Sequence, residues 1–307
     1  MKFEDYARMS EPELVERCEE LKRARSAVIL GHNYQVDAVQ RVSDSVGDSL
    51  VLAQLGAESD ADLIVLCGVH FMAESAKILN PSTKVVIPSL SAGCPMADMI
   101  TADELRAFKA EHPGAPVVCY VNTSAAVKAE SDVCCTSSNA VRVVESLDAD
   151  EILFVPDRNL AAYVASQTGK KIIPWDGFCY VHNMFVPEDV VVARAAHPGS
   201  PVVVHPECPP NVIDLADHVA STEGMVRLAG EHDSLVVGTE IGLIDRLKRD
   251  FPGKSFFPLS PFAVCRNMKM IDLPQTVWAL DNEEHEIVVP EDVRVKAQSA
   301  LARMLEC

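Results

Sequence analysis

Four kinds of landmark recur in one register, about every 85 residues, along a chain of 307. Three polar or aromatic clusters close apolar runs: His32-Asn33-Tyr34, Tyr120-Val121-Asn122 and His205-Pro206-Glu207, whose first residues are 88 and 85 positions apart. Seventeen residues beyond those first residues stand Ser49, Ser137 and Thr222. Further on, apolar runs end in Pro88, Pro174 and Pro258, and a cysteine follows each within a few residues: Cys94, Cys179 and Cys265, spaced by 85 and 86. One such coincidence can arise by accident, but four sets in one register are accounted for together by triplication of an ancestral unit. A period this long exceeds that of any solenoid repeat and suits a small α/β domain.

Nine short β-branched runs read as strands: 28–30, 63–67, 85–87, 117–121, 152–155, 171–173, 202–204, 235–237 and 255–257. They are continuous rather than alternating, with helix-length segments such as 95–111 and 140–146 between them, the pattern of parallel sheets buried on both faces. The expected fold is therefore α/β: three homologous αβα sandwiches with short parallel sheets, in pseudo-threefold arrangement around a central site. The expected units are 1–98, 99–184 and 185–269, with the segment 270–307 packing back on the first. In such sheets ligands collect at the carboxyl ends of the strands, which is where the landmarks lie.

With 48% hydrophobic residues the chain can build a substantial core, yet no apolar run reaches the roughly 18 residues of a membrane helix. The sequence opens on an acidic, amphipathic pattern rather than a secretory signal, so a cytoplasmic location and ten reduced cysteines are expected. A net charge of −18 argues against nucleic acid or an anionic membrane as partner. An anionic substrate would then have to be held by local devices.

Cys94, Cys179 and Cys265 differ from the other cysteines in occupying equivalent places after a strand. Cys94 precedes Pro95 at an expected helix start, where its sulfur should be easier to deprotonate. No CxxC occurs, which argues against zinc ribbons and thioredoxin chemistry. Three converging thiolates could hold zinc with an open fourth position, or a [4Fe-4S] cluster with one iron not bound by protein; spacing alone does not choose, and equivalent structural cysteines are the third reading. Cys134-Cys135 and Cys208 carry no such register.

Ser49, Ser137 and Thr222 precede helical runs and so are candidate N-caps, and equally candidate anion-binding hydroxyls beside helix N-termini. His32, Tyr34, Tyr120, Asn122, His205 and Glu207 supply acid, base and hydrogen-bonding groups at strand ends. His182, three residues after Cys179, is a candidate either for a supporting group behind the metal ligands or for a direct substrate contact.

The segments Gly31-His32-Asn33-Tyr34-Gln35, Gly68-Val69-His70-Phe71-Met72-Ala73-Glu74, Gly93-Cys94-Pro95-Met96-Ala97-Asp98, Trp175-Asp176-Gly177-Phe178-Cys179-Tyr180-Val181-His182, Val204-His205-Pro206-Glu207-Cys208 and Gly238-Thr239-Glu240 resemble the quinolinate synthase family over nearly the whole chain. That resemblance implies a [4Fe-4S] cluster on Cys94, Cys179 and Cys265 with one iron left open as a Lewis acid. It implies condensation of iminoaspartate with dihydroxyacetone phosphate to quinolinate for NAD biosynthesis, with the enzyme that supplies iminoaspartate as a candidate partner. It matches Ser49, Ser137 and Thr222 to carboxylate- and phosphate-binding hydroxyls, and His32, Tyr34, Tyr120, Asn122 and His205 to substrate contacts. Glu207 is then the expected general base or acid, assisted by Tyr34 and His205.

Two departures bear on that resemblance. Some family members carry a CxxCxxC run at the last ligand, whereas Cys265-Arg266-Asn267-Met268 offers one cysteine. Glu223 adds a negative charge beside a proposed anion site and is expected to face solvent. A zinc hydrolase or lyase with three thiolates is the rival enzyme, and an iron-sulfur sensor the rival from another class; a sensor would be expected to carry a basic DNA-reading element, which is not apparent.

Overall fold

The computed structural model describes residues 1–307. Twelve strands build three separate four-stranded sheets, every ladder parallel. The first sheet contains β1 (Ala27–His32), β2 (Ser45–Gly47), β3 (Leu63–Cys67) and β4 (Lys84–Val86). The second contains β5 (Val117–Tyr120), β6 (Val133–Cys135), β7 (Glu151–Val155) and β8 (Lys171–Pro174). The third contains β9 (Val202–Val204), β10 (His218–Val219), β11 (Ser234–Gly238) and β12 (Ser255–Pro258). All three share one strand order, second-first-third-fourth. The chain reverses direction across the sheet after the second strand, so each sheet has a crevice at the carboxyl end of its first strand.

The nine expected strands are present, and the central ones are apolar throughout because helices cover both faces: all five residues of β3 are buried. Each fully buried Leu, Ile or Val there contributes roughly 1.5–3 kcal/mol. The three strands not expected, β2, β6 and β10, are the same edge strand in each unit. A shared aspartate precedes each of them. Asp44 Oδ2 accepts from the Ile29 amide, Asp132 Oδ2 from Val117 and Asp217 Oδ2 from Val202, each at 2.8 Å. The clamp thus ties first and second strands together three times.

The expected helix 95–111 is two elements, a single 3₁₀ turn at Ala97–Met99 and a helix at Ala102–Glu111. Thr101 ends the first and starts the second, its hydroxyl accepting from the Glu104 amide while the Glu104 carboxylate accepts from the Thr101 amide at 2.8 Å. At the ends of the chain, Leu273–Asn282 packs on Glu11–Ala24 and β3, and Tyr6, fully buried, donates to Asp281. The helix Glu291–Glu306 lies against Ala125–Ala129, β6 and His70–Leu79, so it touches both the first and second sheet systems. Those two systems share one continuous apolar core, whereas the third sheet has a separate core on each face. No helix is long and apolar enough to cross a membrane.

Candidate active site

All thirteen residues singled out in the sequence line one cavity: His32, Tyr34, Ser49, Cys94, Tyr120, Asn122, Ser137, Cys179, His182, His205, Glu207, Thr222 and Cys265. The reason is topological. The clusters 32–34, 120–122 and 205–207 leave the first strand of each sheet at its crevice, and the three crevices face one another.

The Glu207 carboxylate is fully buried among other polar groups of the cavity. Tyr120 Oη donates to its Oε1 at 2.5 Å, and His182 Nδ1 lies 2.5 Å from its Oε2, a contact that falls off the line of an ideal hydrogen bond. Burial alone would raise this carboxyl, but the histidines beside it and the Tyr120 bond outweigh that and hold it below the usual carboxylate range. The line of contacts continues. His182 Nε2 lies 2.8 Å from Thr239 Oγ1, and Thr239 Oγ1 lies 2.6 Å from Tyr34 Oη. Tyr120, Glu207, His182, Thr239 and Tyr34 therefore form one line of polar contacts drawn from all three units, hydrogen-bonded on either side of the His182–Glu207 contact.

His32 and His205 are used alike. Each accepts at Nδ1 from the amide two residues on, Tyr34 at 3.1 Å and Glu207 at 3.3 Å. Burial pushes both rings down to about 3, so they are neutral near pH 7 and carry their proton at Nε2. The Tyr34 and Tyr120 phenols are driven well above their ordinary value, by burial first and by Glu207 second, and remain protonated. Asn122 Oδ1 is buried with no partner within the protein, an acceptor left for a ligand.

None of the three hydroxyls is a helix cap. Asp48 caps Ser49–Glu58, accepting from the Leu50 and Val51 amides at 3.0 Å. Ser221 caps Thr222–Glu231, and Asn139 stands at the cap position of Ala140–Glu145. Ser49 and Thr222 are first helical residues, with their hydroxyls beside free amides. The cavity lining contains no lysine or arginine, so among its groups an anion could be met only by such amides, hydroxyls and other neutral donors.

Glu223 does not face solvent as expected. It is partly buried and pairs with Arg246 at 2.5 Å, and Asn33 Nδ2 bonds both its Oε1, at 3.2 Å, and Thr222 Oγ1, at 2.8 Å. The arginine neutralises it behind the hydroxyl rather than within the cavity.

The Cys94 thiol also departs from expectation. The one-turn 3₁₀ helix does offer it the Met96 and Ala97 amides, but burial outweighs them and pushes it up to about 12. Burial raises Cys179 and Cys265 as well. All three are free thiols on one cavity, and as thiolates they form a soft donor set whose charge needs a cation to offset it. Such a set fits an iron-sulfur cluster, and zinc also. Cys179, His182 and Glu207 alone come within 4.8 Å of one another, but the latter two are engaged in the line of polar contacts.

Sequence reasoning missed Asp48, Thr136 and Tyr180 in the lining and Thr239 in the line of contacts. The capping position of Asp48 and the Gly238-Thr239-Glu240 motif were the available signals.

A triplicated α/β chain with three thiols and a buried carboxylate-histidine contact on its pseudo-threefold axis defines a multi-unit enzyme built around a central cofactor-competent cavity. The comparisons with known proteins identify the kind. The model of a family described as quinolinate synthetase A protein matches residues 16–306. Quinolinate synthase 1 of Methanosarcina acetivorans is 52% identical over 299 residues, spanning 97% of this chain and 98% of its own. Quinolinate synthase of Dehalococcoides mccartyi is 55% identical over 288 residues, spanning 93% and 95%. The chain belongs to the quinolinate synthetase A family.

Proposed function

We infer that this chain is a quinolinate synthase of NAD biosynthesis, joining iminoaspartate and dihydroxyacetone phosphate into quinolinate with loss of phosphate and water. Family membership supports the activity, and the observation that carries the site is the convergence of all thirteen residues on one cavity. Cys94, Cys179 and Cys265 would hold a [4Fe-4S] cluster. When bound, the cluster supplies an open iron that acts as Lewis acid in dehydration. The units are assigned to 1–98, 99–184 and 185–269; of the segment 270–307, Leu273–Asn282 returns on the first, and Glu291–Glu306 spans the first and second.

The protein's own part follows from the site. Ser49, Ser137 and Thr222, with the amides beside them, hold the carboxylates and phosphate without any cation in the lining. Asn122 Oδ1 accepts from a substrate N–H or O–H. Glu207, ionised and within reach of Tyr120 and His182, takes the proton lost in enolisation. Tyr34 and the neutral rings of His32 and His205 donate from Oη and Nε2 to oxygens that gain charge.

Iron and acid-labile sulfide measured on protein purified without oxygen test the reading. Cys94→Ala, Cys179→Ala and Cys265→Ala should each abolish both, together with quinolinate formation. Stoichiometric zinc without sulfide would sink it in favour of the hydrolase alternative.

A further inference from the structure

The three cluster cysteines are not held alike. Two residues past the end of the third strand in each unit stand Val69, Asp157 and Glu240. Asp157 is fully buried; its Oδ1 accepts from the Leu160 amide at 2.8 Å and its Oδ2 from the Cys179 amide at 3.1 Å. Glu240 is also fully buried; its Oε1 accepts from the Cys265 amide at 3.0 Å and its Oε2 from the Gly242 amide at 2.7 Å. Val69 offers no acceptor, and the Cys94 amide makes no hydrogen bond.

Close backbone approach makes both contacts. Gly177 is laced to the end of β7, donating to Pro156 O at 3.1 Å and accepting from the Arg158 amide at 2.9 Å. A Cβ at Gly177 would collide with Pro156 O, so only glycine brings the Cys179 loop this near Asp157. A Cβ at Gly242 would lie 2.8 Å from Glu240 Oε2. Lys269 Nζ, 3.0 Å from Glu240 Oε1, also donates to Tyr34 O at 2.5 Å, which ties the Cys265 loop to the first unit.

We propose that Asp157 and Glu240 are positioning residues for the metal centre, each fixing one cysteine by its amide, whereas the Cys94 amide has no such carboxylate and its loop is tied by backbone bonds alone, among them the His70 amide to Ala92 O at 2.8 Å. The proposal rests on the cluster reading of the three cysteines. Groups bonded behind a metal ligand typically change metal affinity by roughly 10–100-fold when removed.

The test uses Asp157→Ser and Glu240→Gln in the reconstituted holoprotein. Serine retains a cap for Leu160 but cannot reach Cys179, which separates cysteine positioning from helix capping. The glutamine side chain keeps the shape of the glutamate but has one acceptor oxygen where the carboxylate used two. Iron release to a ferrous chelator should be roughly tenfold faster in both variants. The paramagnetic resonance spectrum of the reduced cluster should change, with apoprotein melting near that of the parent. Release within about twofold of the parent in both variants would overturn the proposal, as would faster release that merely tracks a lower melting temperature with an unchanged spectrum. A parent protein that takes up neither iron nor sulfide would overturn the cluster reading with it.

Discussion

Glu207 is the one carboxylate placed to move a proton across the cavity. Asp48, the other acid in the lining, is spent on two helix amides. With its carboxyl held below the usual range, Glu207 is already ionised at pH 5. The sign follows. Protonation of Glu207 removes the base only as pH falls below about 4, so a kcat/KM profile between pH 5 and 8 should show no inflection from this group. Glu207→Gln should lower kcat by about 10²–10⁴-fold while iron and sulfide stay bound. A variant with undiminished turnover would remove Glu207 from the chemistry.

The Asp44, Asp132 and Asp217 clamps each fix an edge strand to its neighbour through a single side chain. Asp217 also pairs with Arg194 at 3.0 Å, and burial, which would raise it, is outweighed by that arginine and the Val202 amide, so its carboxyl is lowered. A lowered group stabilises the fold above its unfolded value near 3.9 and loses that contribution as pH falls through the folded value. Asp217→Ala should therefore cost only about 0.5 kcal/mol at pH 7 in a denaturant titration, because solvent screens this exposed pair, with the gap narrowing below pH 4. The same clamps explain what could be read without a structure. The nine expected strands were legible as unbroken apolar runs, which burial on both faces demands of central strands such as β3. Ser45–Gly47, Val133–Cys135 and His218–Val219 were not, since two or three residues at a sheet edge carry no such pattern. Their signal was the aspartate, spaced by 88 and 85 in the same register as the landmarks. The site residues were legible through that register, whereas Thr239, Asp157 and Glu240 act through contacts that spacing does not encode.

At the scale of the whole molecule, net charge and cavity pull in different directions. A chain of net charge −18 repels a phosphate- and carboxylate-bearing substrate until it meets the inner hydroxyls and amides. Screening a like-charged pair speeds its encounter, so kcat/KM for the anionic substrate should rise between about 10 and 150 mM salt, where the Debye length falls from roughly 30 to 8 Å. A fall over that interval would point to a cationic surface feature that dominates approach.

The position two residues beyond the first cluster residue is Tyr34 in one unit, Asn122 in the next and Glu207 in the third, while the cysteine position is the same in all. Three separate identical copies meeting on an axis would present any base from three directions at once, and a planar intermediate could lose a proton from more than one side. Joined in one polypeptide, the corners were free to diverge around a common sulfur triangle. The cavity accordingly presents phenol, amide and carboxylate once each, an asymmetry that only the covalent continuity of the chain allows.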